Sequence, residues 1–218
     1  MTDERWQLTN TYLREVFGEE DQILADLTPA AVAEGLPEIG VTPDVGRLLM
    51  ILTAMTPGRV VLELGTLGGY SAIWMGRAMA ADGRLITIEY NDRHADFAEA
   101  QFAKAGLAER IEVRRGAALD VLPIVADELG PLSVDVAFID AVKSEYPEYF
   151  RLVRPLIAPG GLFIADNVFG SGDMWIDHSG HHLIQGPDEL NRLLASDPDF
   201  EAVAMPIRSG VLVGRRNT

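Results

Sequence analysis

The chain has 218 residues, 48% of them hydrophobic and 23% charged, a globular balance that argues against disorder or a collagen-like repeat. Thirty-three acids against 18 lysines and arginines give a net charge of −15, a field that repels phosphate backbones and anionic lipid, so neither nucleic acid nor a membrane is expected as a partner. With no cysteine there are no disulfides, thiolate nucleophiles or thiolate metal sites, and with no long apolar run and a polar start (MTDERWQLTN) a cytoplasmic protein is expected.

The length suits one domain, 1–218, with a helical preface at 1–57 and an α/β core at 58–218. In the preface, Trp6, Leu13 and Phe17 fall near one helical face, and Ile23, Leu24, Leu27 and Ala31 form a second apolar stripe. Turn formers crowd GLPEIGVTP at 35–43, after which Asp44 is expected to cap a helix carrying Leu48, Leu49, Ile51 and Leu52. From residue 59 short β-branched runs alternate with helical stretches, the pattern of crossover units in a mainly parallel sheet. Strands are expected at RVVLEL, RLITIE, IEVRRG, VDVAFID and GLFIADN, with helices near 69–81, 92–105, 118–128 and 145–154. The tail adds a helix near 187–196 and two strands, around 200–206 and 209–215, close enough to pair as an antiparallel hairpin.

Ligands of open α/β sheets sit beyond the carboxyl ends of the strands, and here those ends carry Glu63, Glu89, Asp140 and Asp166. The first strand runs into ELGTLGGYS at 63–71, a glycine turn that brings backbone close to a ligand before a helix opens. Gly65, Gly68 and Gly69 do not make the G-x-G-x-x-G of dinucleotide enzymes, which weighs against a nicotinamide oxidoreductase. Glu63, Thr66 and Ser71 instead offer an acid and hydroxyls, suited to an amino-acid moiety beside a cationic sulfur. Glu89 closes the second strand, where a carboxylate accepts both hydroxyls of a ribose.

Asp140 ends one buried strand and Asp166 and Asn167 end the next, so three oxygen side chains converge without an obvious balancing arginine. Uncompensated carboxylates need a cation. All-oxygen ligation favours Mg²⁺, with Mn²⁺ or Ca²⁺ also suited, and leaves positions open for substrate. The plain alternative is that Asp166 and Asn167 only cap a turn. Lys143, just past Asp140, is the candidate general base, since neighbouring positive charge favours a neutral amine.

Together ELGTLGGYS, Glu89, RRGAALDVLP, FIDAVKSEYPEYF and PGGLFIADN resemble the cation-dependent O-methyltransferases related to catechol and caffeoyl-coenzyme A O-methyltransferases, from about residue 36 to 168 and again in the tail. The resemblance implies a Rossmann-like class I methyltransferase fold: a seven-stranded, mostly parallel sheet with a C-terminal antiparallel hairpin and helices on both faces. It implies an S-adenosylmethionine site lined by Val41, Glu63, Gly65, Thr66, Ser71, Glu89, Ala117 and Asp140, with Glu89 on the ribose and Ala117 near the adenine. It also implies metal ligation by Asp140, Asp166 and Asn167, catalysis by Lys143 with Asp140, and a homodimer to which the preface contributes. The acceptor expected on such a metal is a small aromatic vicinal diol.

The segment GSGDMWIDHSGHHLIQG at 170–186 departs from the family pattern. Trp175, His178, His181 and His182 are candidates there for an aromatic lid or a second base. A metal-independent methyltransferase using these histidines, or a nucleotide-binding module without turnover, are the competing expectations. Arg208, between the last two strands, is a candidate partner for an acidic acceptor group.

Overall fold

A computed structural model describes residues 3–171, 174–175 and 184–218. The preface forms α1 (Asp3–Phe17), α2 (Gln22–Ala33) and α3 (Pro43–Ala54). The core alternates β1 (Val60–Leu64), α4 (Tyr70–Ala78), β2 (Arg84–Glu89), α5 (Asp92–Lys104), β3 (Ile111–Arg115), α6 (Ala118–Leu129) and β4 (Val134–Ile139). It continues with α7 (Tyr146–Val153), β5 (Ile157–Asp166), a short ribbon of β6 (Gly170–Ser171) and β7 (Met174–Trp175), α8 (Gln185–Ser196), β8 (Phe200–Met205) and β9 (Val211–Arg216).

Alternation along the central strands builds two cores. Val61, Val136, Phe138, Leu162 and Ile164 face one side, where α3, α4 and α5 cover them. Leu62, Leu64, Ala137, Ile139, Phe163 and Ala165 face the other, under α6, α7 and α8. A strand buried on both faces reads as a continuous apolar run, which is why VDVAFI and GLFIAD are legible as central strands.

The large sheet has the order β3-β2-β1-β4-β5-β9-β8, with β9 alone running against the rest. This is the class I methyltransferase architecture expected from the sequence. The order reverses between β1 and β4, and the crevice that such a reversal opens lies at their carboxyl ends. The Asp140 amide donates to the Leu64 carbonyl there at 2.9 Å.

Several local expectations need correction. Asp44 does not cap α3: Thr42 is the cap residue and Pro43, whose fixed φ and missing N–H suit the first helical position, opens the helix. Asp44 lies in the first turn, where its charge faces the positive end of the helix. Phe17 is 50% exposed although Trp6 and Leu13 are half-buried, because α1 packs on α3 by one side only. Helix α4 stops at Ala78, since Met79 turns extended to enter the Gly58–Gly83 crossing. No helix among the described residues is long and apolar enough to cross a membrane.

Candidate active site

A cavity of about 750 Å³ opens over the carboxyl ends of β1, β2, β4 and β5. Helix α2 and the turn after it form one wall through Leu27, Ala31 and Val41. Of the residues expected to meet the cosubstrate, Val41, Gly65, Thr66, Ser71, Glu89, Ala117 and Asp140 all line it.

Glu63 does not reach the cavity; it is fully buried behind it. Strand register puts Thr87 opposite Glu63, and the two hydroxyls that bracket the acid come from β2 and α4. Ser71 Oγ donates to Glu63 Oε1 at 2.5 Å and Thr87 Oγ1 to Oε2 at 2.6 Å. Thr66 Oγ1 lies 2.6 Å from Thr87 Oγ1, which continues the chain of hydroxyls to the cavity wall. Burial without a cation pushes the Glu63 carboxyl up to about 8, and the charges of Asp140 and Glu89 push the same way.

The β1–α4 turn is shaped by close approach. Gly65 has φ +94, and a Cβ on it would run into the Asp140 carbonyl, so only glycine lets the ends of β1 and β4 meet. The turn aims two amides at Glu89, from Thr66 at 3.2 Å and Leu67 at 2.8 Å, and the Asn91 amide adds a third at 3.0 Å. His94 Nδ1 lies 3.4 Å from the same carboxylate.

At the opposite end Asp140, Lys143, Asn167 and Arg208 line the cavity. Lys143 Nζ contacts Asp140 Oδ1 and donates to Tyr146 Oη at 2.6 Å, and Tyr146 Oη donates in turn to the Asp166 carbonyl at 3.0 Å. Asp166 is fully buried; its Oδ2 accepts from Arg208 Nη1 at 3.3 Å, while Oδ1 has no hydrogen-bond partner among the described residues. Burial, and then the Asp140 charge, push the Asp166 carboxyl above the usual range, with Arg208 and Lys143 pulling back. Asn167, at φ +58, ends β5 in the left-handed region.

The expectation of unbalanced carboxylates is corrected here, because each acid meets a cation, Asp140 through Lys143 and Asp166 through Arg208. Folding back the β8–β9 hairpin brings Arg208 to a partner 42 positions away. Among the described residues no three His, Cys, Asp or Glu side chains gather as metal ligands; the expected set has two carboxylates and one amide. His178, His181 and His182 lie outside the described residues, as does the side chain of Trp175.

Sequence reasoning missed Thr87, Tyr146 and His94. Thr87 looks like ordinary strand filler until the register sets it beside Glu63. Tyr146 had a signal in the tyrosine-rich EYPEYF, and His94 one in its place in the first turn of the helix after Glu89.

The fold and the cavity define the class: a methyltransferase of the class I α/β type. The O-methyltransferase family model matches residues 14–217, and the chain belongs to that family, whose enzymes are S-adenosylmethionine-dependent O-methyltransferases. It is 37% identical to a catechol O-methyltransferase of Niastella koreensis over 94% of this chain and 92% of the relative. Among solved structures, an O-methyltransferase from Bacillus cereus in complex with SAH superposes with a TM-score of 0.88 at 34% identity, covering 98% of this chain and 99% of the other. TomG of Streptomyces achromogenes, an O-methyltransferase involved in tomaymycin synthesis and solved with SAM, gives a TM-score of 0.85 at 34% identity with both chains fully covered.

Proposed function

We propose that the chain transfers the methyl group of S-adenosylmethionine to one oxygen of a small aromatic vicinal diol of the catechol type, with a divalent cation held by Asp140, Asp166 and Asn167. Mg²⁺ suits this all-oxygen set, and Mn²⁺ or Ca²⁺ fit the same donors. The observation that carries the reading is Asp166 Oδ1, a buried oxygen with no hydrogen-bond partner among the described residues. Leaving such an atom unpaired costs about 1–3 kcal/mol or more, so the donor set fits a cation. The name of the Niastella koreensis relative supports a diol acceptor.

A divalent cation held by Asp140, Asp166 and Asn167 would supply Lewis-acid chemistry, lowering the pKa of a diol hydroxyl. The rest falls to the side chains. Lys143 Nζ, at the cavity wall, takes the acceptor proton, and Tyr146 beneath it fixes where that amine stands. Glu89, oriented by three backbone amides, receives the ribose hydroxyls. Val41, Gly65, Thr66, Ser71, Ala117 and Asp140 surround the remainder of the cosubstrate, with Glu63 behind them. Holding both reactants in line turns an encounter in solution into a step within one complex. In the same reading residues 1–218 act as one domain, in the cytoplasm and as a homodimer, for which α1 offers the exposed Leu8, Tyr12 and Val16.

The ion pairs of Asp140 and Asp166 favour a second reading, in which Lys143 and Arg208 already satisfy the carboxylates and methyl transfer needs no metal. Incubation with S-adenosylmethionine and catechol, with products counted by mass spectrometry, separates the two. Turnover that EDTA abolishes and Mg²⁺ restores is expected; full turnover in excess EDTA would establish the second reading and move attention to His178, His181 and His182.

A further inference from the structure

The acceptor end of the cavity holds two basic side chains among its described residues, Lys143 and Arg208, and they are held differently. Lys143 is engaged on two sides, by Asp140 and Tyr146. Arg208 makes one hydrogen bond among the described residues, from Nη1 to Asp166 Oδ2. At 3.3 Å that bond is long against the roughly 2.8 Å of a close charged pair. The remaining N–H groups of the guanidinium meet no acceptor among the described residues, and the side chain is 27% exposed at the cavity wall.

The backbone that carries Arg208 is fixed. The residue sits at φ +51, a conformation unfavourable for any side chain beyond glycine, in the turn between β8 and β9. Gly210 N donates to the Ile207 carbonyl at 2.9 Å, and Phe169 N and Val168 N bond the carbonyls of Ser209 and Gly210 at 2.9 and 3.1 Å, tying the turn to the segment after Asn167. A planar fork of donors, pinned by one edge to a buried acid and open on another, matches the two oxygens of a carboxylate.

We propose that Arg208 is a specificity-determining residue that receives an anionic, carboxylate-type substituent on the acceptor, so that the diols this enzyme handles best are aromatic acids. The proposal rests on the diol reading given above. Acceptor oxygens at Lys143 and a carboxylate at Arg208 fix the ring at two points, which sets binding and also selects which of the two hydroxyls meets the methyl group.

The test compares 3,4-dihydroxybenzoate with its uncharged analogue 3,4-dihydroxybenzamide, measuring kcat and KM for each on the wild type, Arg208→Gln and Arg208→Lys. Damage to Asp166 through loss of its partner lowers both rates alike and cancels in the ratio of the two kcat/KM values. The wild type is expected to prefer the benzoate by about tenfold, mostly in KM, as one charge-assisted pair at a half-open site provides. Arg208→Gln is expected to bring the ratio near unity, and Arg208→Lys, which keeps charge without the fork, to fall between. A wild-type ratio at or below unity, or a ratio unmoved by Arg208→Gln, overturns the role of Arg208 while leaving the diol reading intact. Methylation of neither compound by the wild type would overturn both.

Discussion

At the cosubstrate end of the cavity the acids are met by hydroxyls and backbone amides, whereas at the acceptor end they are met by cations. Glu63 has Ser71 and Thr87, and Glu89 has the amides of Thr66, Leu67 and Asn91. Asp140 and Asp166 have Lys143 and Arg208, and one oxygen of Asp166 has nothing among the described residues. Amides and strand hydroxyls are fixed by the fold itself, so the first end is formed before any ligand arrives. Buried carboxylates paired with basic side chains keep a partner only while that side chain stays in place, so the second end is organised around charges to which an arriving ligand or cation adds.

The largest effect expected from this contrast is at Lys143. Lys143→Ala is expected to lower kcat by about a hundredfold or more, the usual contribution of a placed general base, while the affinity for S-adenosylmethionine stays near that of the wild type. Single-turnover rates and calorimetric binding together check it. A loss of less than about threefold would remove Lys143 as the base, since even weak general-base catalysis exceeds that.

A second effect belongs to the preformed end and concerns stability. The folded Glu63 carboxyl is raised to about 8 from its usual 4.5, mainly by burial. Between those values the folded state keeps a proton that the unfolded chain has lost, so the protein without cosubstrate loses stability as pH rises from about 4.5 to about 8, then levels off. Asp166, also raised, acts in the same direction. Asp197, held low by the hydrogen bonds of Arg154, titrates below this window and does not mask it. Urea unfolding midpoints at several pH values in EDTA should fall by an amount worth on the order of a few kcal/mol in all, and Glu63→Gln should remove most of the slope. An unchanged slope in that variant would mean that Glu63 is ionised in the fold and that its hydroxyl cage stabilises the charge.

The contrast also explains what could be read from the chain. Glycines 65, 68 and 69, Glu89, Asp140 with Lys143, and the Asp166–Asn167 pair are all local patterns at strand ends, and a parallel sheet gathers strand ends on one edge whatever the loops do. The central strands were legible because burial on both faces leaves them uniformly apolar. Thr87 was not legible, and neither was the pairing of Arg208 with Asp166, since these partners are set by register and by the return of the hairpin, across separations of 24 and 42 residues. Helix α2 announced a buried stripe in Leu24, Leu27 and Ala31, but periodicity says that a face is covered and not what covers it; Leu27 and Ala31 turn out to roof the cavity.

The smallest of these effects is expected at Glu89. Glu89→Gln keeps size and one acceptor oxygen but turns an NH₂ group toward backbone amides that need an acceptor, either Thr66 and Leu67 on one side or Asn91 on the other. Losing one good acceptor position in a buried, charge-assisted cluster corresponds to about tenfold in affinity. The dissociation constant for S-adenosylmethionine should therefore rise about tenfold by calorimetry, with kcat at saturating cosubstrate close to that of the wild type, because the acceptor end is untouched. A fall in kcat with unchanged affinity would break the division of the cavity, since it would mean that Glu89 acts in the transition state and that the two ends are coupled through the β1–α4 turn at Gly65.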